Sequence, residues 1–446
     1  PVLLIIVILI VSFGRTRLRN NKVGANKEET TKEEIEKDAK KNTEEETKED
    51  ATQTDFKNKA NWEAFDAGNI NGLLTRGYFG AVFDGRYVYY VPCRTKDFHG
   101  IVLRYDSTQP FKSKTSWKSY DAGFTDGLNT KGYAGAVFDG RYIYFVPFAV
   151  SNTRHARVLR YDTKNDFTSS SGWNAFDAQK VAGKAALGYD GAVFDGRYVY
   201  FAPFGYEPYA HAKVLRLDTT GDFKTSSSWK VYDAANTGNL NTKGYYGVVF
   251  DGRYVYFVPF NDGKDFHGKV LRYDSKGNFE NSSSWSAYDA GNTEGKKTVG
   301  YKGAVFDDKY VYFVPFRNKD KTHALVLRYN TKGDFNSDSS WSVYDAKSTD
   351  GLNIEGYVGA EFDGRYVYFV PYSDSNNIYH ANFLRYDTKG AFKTFSSWSA
   401  FDGSSIDGLI TKGYKYSTSD GNYIYFAPYN NGKTFSGVVL RYKINK

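Results

Sequence analysis

All six histidines of the chain stand in one context: His99, His155, His211, His267, His323 and His380 are each followed by Gly or Ala, one free position, Val or Phe, and Leu-Arg. Neutral imidazole is a common metal ligand, so a repeated histidine raises the question of a metal centre. A second set of chemically capable residues is marked by departure from repetition. After each recurring Gly-Tyr pair, one position reads Phe79, Ala134, Asp190, Tyr246, Lys302, Val358 and Lys415 in turn. Further along the same segments, Glu361 stands where the others carry Val or Thr. The variable stretches "FGYEPYAH" and "YSDSNNIYH" add Glu207, Tyr209 and Tyr379. Acid–base chemistry and selective binding both need an asymmetric constellation, which perfectly repeated residues do not give and these departures do.

The elements that position these residues follow from the repeat. The intervals between histidines are 56 residues four times and 57 once, and Trp62, Trp117, Trp173, Trp229, Trp285, Trp341 and Trp398 keep the same period. Such self-similarity marks a propeller or solenoid. In residues 244–291, Gly247 to Phe250 and Arg253 to Phe260 flank Asp251-Gly252, a pair suited to a tight hairpin. They read as strands A and B. Pro259 closes strand B, "KVLRYD" is strand C, and "WSAYDA" after a Gly, Ser and Asn-rich turn is strand D.

Seven A to C units are present, but the last stops at "GVVLRYKINK" without its strand D. The orphan segment "NWEAFDAG", residues 61–68, is a strand D with no preceding A to C. The expected fold is therefore all-β, a seven-bladed β-propeller of four-stranded antiparallel blades whose last blade is closed by the N-terminal strand. Radial repetition protects the sheet edges that a single open sheet would expose.

In that topology the B to C and D to A connections share one face, and all six histidines lie on it. Strand C lies about 10 Å outside the innermost strand, so neighbouring imidazoles are on the order of 9 Å apart or more, whereas zinc ligands each come within about 2.1 Å of the ion. The histidines are expected to be structural latches on backbone or carboxylate groups, and no metal is assigned. The seven arginines of the Leu-Arg pairs, Arg104 to Arg441, are expected to pair with the Asp two residues later or with a group across the sheet. Glu361 is expected to pair with Lys415 or an arginine.

The order "GAVFDGRYVYFVPF", "VLRYD", "SSSW" resembles the kelch-type propeller repeat, in which a hairpin is followed by a Tyr-Asp strand and a Trp. The likeness spans residues 61–446, with Val-Pro or Ala-Pro standing where that repeat carries Gly-Gly.

Before the repeats the composition changes. Residues 1–19 open with a thirteen-residue stretch that is apolar but for Ser12, shorter than the roughly 20 needed to span a bilayer, and end in Arg15, Arg17 and Arg19. They read as part of a membrane anchor or signal region, placing the propeller as secreted or membrane-anchored on the extracytoplasmic side. The arginine cluster taken alone would favour the cytoplasm. Residues 20–60, rich in Glu, Lys and Thr, read as a charged flexible linker. Residues 1–60 hold twelve basic and twelve acidic residues, so the net charge of +8 belongs to the repeats, 47 basic against 39 acidic. Its even spread argues against nucleic acid as a partner. The single cysteine, Cys93, rules out an internal disulfide framework.

No GxSxG, HExxH, P-loop, CxxC or dinucleotide fingerprint occurs, so no catalytic residue and no cofactor are assigned. The expected function is a non-catalytic binding or scaffold module presenting its loop face to a protein or glycan ligand. Asp190, Tyr246, Lys302, Lys415, Glu361, Glu207, Tyr209 and Tyr379 are the ligand-binding candidates. The alternative is a carbohydrate-active enzyme at the channel mouth that uses Glu361 and Asp190. Near identity of the repeats favours several equivalent sites between blades.

Overall fold

The computed structural model describes residues 56–182, 186–204 and 210–444. The apolar segment and almost all of the charged linker lie outside these residues, as do Glu207 and Tyr209. The described chain forms seven four-stranded antiparallel sheets, six with strands in sequence order from the innermost outward and the last with its outermost strand taken from the N-terminal end of the repeats. In blade 4 they are Tyr245–Phe250, Tyr254–Pro259, Lys269–Asp274 and Trp285–Asp289. The innermost strands A of blades 1, 2 and 3 are Tyr78–Phe83, Tyr133–Phe138 and Tyr189–Phe194. Those of blades 5, 6 and 7 are Tyr301–Phe306, Tyr357–Phe362 and Tyr414–Ser419.

Each A to B turn is fixed by its aspartate. In blade 4 Asp251 Oδ1 accepts from the backbone N–H of Arg253 at 2.8 Å and of Tyr254 at 2.6 Å, while Oδ2 accepts from the Tyr256 hydroxyl at 2.7 Å. Both carboxylate oxygens are thus used inside the hairpin, which explains why Asp recurs there. Strand A begins two residues earlier than its sequence suggests, because it contains a β-bulge. Tyr245 faces Pro259 and Val248 faces Phe257, so Tyr246 and Gly247 together oppose one residue. The same register shift occurs in all seven blades.

Ring closure follows the expected clasp. Trp62–Asp66 pairs antiparallel with Val438–Lys443, from Trp62 opposite Tyr442 to Asp66 opposite Val438. Glu63 and Arg441 join across the seam at 2.5 Å. The clasp starts earlier than residue 61: Phe56 is fully buried, and the Trp62 indole N–H donates to the Phe56 carbonyl at 3.0 Å. Every other blade repeats this bond, as in Trp229 to Phe223 at 2.9 Å. The Phe six residues before each Trp is therefore part of the repeat.

The hydrophobic core lies between blades. Trp229, for example, shares one cluster with Tyr144 and Val146 of the preceding blade and stacks on Phe176 at 5.0 Å between centroids. The Leu-Arg arginines form a second seam, where pairing with the Asp two residues on gives way to ring stacking, while the expected partner across the sheet is found by Arg160 in Asn174, by Arg272, Arg328 and Arg385 in serines, and by Arg441 in Glu63. Arg272 lies 4.2 Å from the Tyr254 ring of its own blade and 4.0 Å from Phe335 of the next. Arg104, Arg160, Arg216, Arg328 and Arg441 are sandwiched in the same way, and Phe56 supplies the outer ring for Arg385. The aspartates expected to receive them instead bind the turn arginines, as Asp274 does Arg253 at 2.8 Å. A planar, weakly hydrated guanidinium fits between two rings where an ammonium would not.

Candidate functional site

On the loop-bearing face the six imidazoles act inside their own blades. His99, His155, His211, His267 and His323 each direct Nε2 to a backbone carbonyl, of Arg76, Lys131, Gly188, Lys243 and Val299, at 2.7–3.0 Å. Nδ1 of all six accepts the N–H of the residue two positions on. Ser436, at the seventh position, takes over that acceptor role through Oγ, bonded from Val438 N at 3.1 Å. This arrangement satisfies a neutral ring, and burial lowers the imidazole pKa to about 3 for His155 and about 4 for His99, His211, His267 and His323. Among the described residues no three His, Cys, Asp or Glu side chains are grouped closely enough to hold a metal ion.

The bulge in strand A decides what reaches the axis. Its second residue is Gly in six blades, with positive φ from Gly80 at 158° to Gly191 at 80°, and the glycines of neighbouring blades nearly touch. A Cβ on Gly247 would come 3.0 Å from the Gly303 Cα, which leaves no room for a side chain. The first bulge residue sits above this glycine ring and forms the floor of a cavity of about 800 Å3. Phe79, Tyr246, Lys302 and Lys415 line it, and Asp190 is fully buried at the same level.

The two floor lysines sit in aromatic cages. Lys302 Nζ is 3.8 Å from the Phe316 centroid, 4.3 Å from Tyr246 and 4.9 Å from Phe260. Lys415 Nζ is 3.6 Å from Phe79 and 4.8 Å from Tyr372, and it donates to the Tyr246 hydroxyl at 3.3 Å. Burial lowers the Lys415 pKa to about 8, opposed by the field of Asp190 and Cys93. Burial pushes Lys302 well below the usual lysine range, and Lys415 adds to that shift. Asp190 moves the other way, up to about 7 through burial, with Lys415 and the Tyr416 hydroxyl holding it down. Desolvation thus weakens the charge on every ionisable group of the floor. Cys93, buried in the cluster that holds Phe79, Ala134 and Tyr429, is a free thiol whose pKa burial raises to about 12.

Blade 7 breaks the glycine ring. Tyr416 occupies the seventh glycine position at φ 54°, and its ring lies against Gly359 and Gly303. Its hydroxyl donates to Asp190 Oδ1 at 2.9 Å across the axis, from blade 7 to blade 3. Tyr416 also lines the narrower space of about 160 Å3 bounded by the glycine ring, so it separates that channel from the cavity above. Sequence reading passed over Tyr416, although its signal was available: six Gly and one Tyr at one position of the repeat.

Tyr379 lines the cavity wall and meets Tyr372 edge-on at 5.2 Å. Glu361 lies elsewhere. Its counterparts Val193 and Val305 pack into the clusters between blades, and Glu361 keeps that direction, accepting from Ser417 of blade 7 at 3.4 Å. Its pairing with Lys415 does not occur, because Lys415 stands at the floor on the other side of the bulge. Burial at this seam raises the Glu361 pKa to about 7. Glu361 and Asp190 therefore form no carboxylate pair in one pocket.

Arg94, Arg154, Arg317 and Lys319 also border the cavity, with Phe98, Phe148, Phe204 and Phe266, and no carboxylate of the described residues lines it. The lining thus combines ring faces with hydrogen-bond donors.

No family model matches this chain, and no curated protein matches it. Among solved structures, it is similar to the extracellular domain of a putative hybrid two component system from B. thetaiotaomicron, at 10% identity and a TM-score of 0.49, covering 85% of this chain and 39% of that one. A second structure, the extracellular domain of a putative one component system from the same organism, matches at 11% identity and a TM-score of 0.49, over 86% of this chain and 40% of that one. The computationally designed Ika8 protein matches at 10% identity and a TM-score of 0.42, over 86% of this chain and 99% of that one. The chain thus spans about two fifths of the length of the two bacterial proteins.

Proposed function

We infer that the propeller is a non-catalytic binding module whose loop-lined face takes one ligand, a glycan or a protein segment, in the axial cavity. The observation that carries this reading is the floor itself. Seven equivalent positions hold seven different environments, among them two caged lysines and one buried carboxylate, around a cavity of about 800 Å3. That size and its mix of aromatic walls with a few polar groups fit a small-ligand site. Tyr246, Lys302, Lys415 and Tyr379 line it, Asp190 lies fully buried at the level of its floor, and Glu361 is not among its lining residues. Without Glu361 beside Asp190, the carbohydrate-active alternative lacks the paired carboxylates that glycoside hydrolysis uses.

A second reading has its own support. Two repeat-related grooves lie on the outer wall, one bordered by Tyr232, Asn236 and Trp285 and the other by Tyr288, Asn292 and Trp341. Such grooves would give several equivalent lectin sites. A glycan array followed by calorimetry separates the two: the axial site gives one ligand per chain, the outer grooves more than one. Binding above one per chain that survives substitution of Lys302 and Lys415 would refute the axial reading. The resemblance to kelch repeats and the apolar segment before the linker support, respectively, a kelch-like propeller and a membrane tether holding it on the extracytoplasmic side.

A further inference from the structure

The charges of the cavity specify a ligand more narrowly than its shape does. Lys302 is only 9% exposed, and among the described residues its ammonium makes neither a hydrogen bond nor an ion pair and lies against the faces of Phe316, Tyr246 and Phe260. Lys415, 4% exposed, has one hydrogen bond, to a neutral hydroxyl. Asp190, the carboxylate at this level, spends Oδ1 on Tyr416, and Oδ2 accepts no hydrogen bond. On the wall, the Arg317 Nε–H is buried without a partner. A cation buried among aromatic rings without a counter-ion is costly to the fold; in the outer shell the turn arginines pair with aspartates, as Arg253 does with Asp274, and among the sandwiched arginines Arg160 and Arg216 also leave a buried Nε–H without a partner.

Among the described residues the shortfall is one of negative charge. The lining offers guanidinium and ammonium donors from Arg94, Arg317, Lys302 and Lys415, beside Asn152, Asn377 and tyrosine hydroxyls that both donate and accept. A neutral peptide segment would leave the positive charge unanswered. A sugar bearing a carboxylate brings the complementary set. Its hydroxyls accept from the arginines, its C–H faces lie on Phe and Tyr rings, and its charge answers the lysines. We propose that the axial cavity binds a sugar acid, free or at the end of an acidic oligosaccharide, with its carboxylate between the Lys302 and Lys415 ammonium groups.

This proposal rests on the axial-cavity reading, and the experiment keeps the two apart. The full chain is titrated calorimetrically with glucuronic and galacturonic acid and their short oligomers, with glucose and galactose oligomers of the same linkage, with inorganic phosphate, and with an acidic peptide. Lys302→Met, Lys415→Met and the charge-retaining Lys302→Arg follow. The expected result is one acidic saccharide per chain, neutral counterparts at least about tenfold weaker, and a loss of about ten- to a hundredfold in each Met variant with partial recovery in Lys302→Arg. Equal binding of neutral and acidic sugars, abolished by mutation of Tyr246 and Tyr379, would overturn the sugar-acid proposal while leaving the cavity reading intact. Phosphate or the acidic peptide binding in place of the sugars would overturn it too. Acid-sugar binding unaffected in both Met variants, whose folding is checked by thermal melts, would overturn the cavity reading and the proposal together.

Discussion

The seams between blades and the floor of the cavity are built from the same repeat by opposite rules. At the seams every blade offers the same arginine sandwich, the same Trp to Phe carbonyl bond and the same aspartate-fixed hairpin, and the indole N–H and both hairpin carboxylate oxygens face partners that recur with the period. On the floor, position by position, the blades disagree, and the polar groups lack full partners. Repetition closes a ring because each interface must accept the next blade at the same angle. A binding site needs the equivalence broken, since identical side chains around an axis favour no one orientation of a ligand.

The comparison can be broken most forcefully at the seam. Trp229→Ala and Trp62→Ala should each cost about 3–5 kcal/mol in denaturant unfolding, because each removes a buried indole from an interblade cluster. A much smaller loss for Trp62 than for Trp229 would mean that the clasp is not equivalent to the other interfaces. Acid should act next, through the latches. Burial holds five imidazoles at about 3 or 4, whereas the unfolded chain titrates near 6.5, so the unfolded state binds more protons between those values. The latch contribution is then full above about pH 6.5 and is lost as pH drops toward 4 for four imidazoles and toward 3 for His155; melting temperatures across that range check it.

Smaller effects separate seam from floor directly. Arg272→Met should destabilise by about 1–2 kcal/mol, the scale of desolvated cation–π contacts, and Arg104→Met in another blade by a similar amount. Lys302→Met, although at a more deeply buried position, should leave the melting temperature unchanged or raise it, because it removes a charge with no ion-pair partner among the described residues. A marked loss of stability there would place Lys302 with the seams. Finally, acid-sugar affinity should fall above about pH 8 as Lys415, facing Asp190, Cys93, Arg94 and Tyr246, gives up its proton.

Much of the fold was legible because a 56-residue period, Asp-Gly turns and one displaced strand D constrain the ring almost completely. Phe56 escaped notice because its neighbours read as linker, and only its indole-bound carbonyl reveals it as a blade residue. The candidate floor positions Asp190, Tyr246, Lys302 and Lys415 were readable as departures from the repeat. Tyr416 was readable in the same way, as one Tyr against six Gly, but its reach to Asp190 and the fate of Glu361 were not, since both depend on the bulge.

The sequence alone determined how many blades there are, which segment closes them and which positions vary, because those are properties of order along the chain. Tertiary structure decided which variable side chains meet. A bulge that turns one residue toward the axis and sends another into the seam brings Asp190, Tyr416 and Lys415 together from opposite sides of the ring while holding Glu361 apart, and distance along the chain carries no information about that.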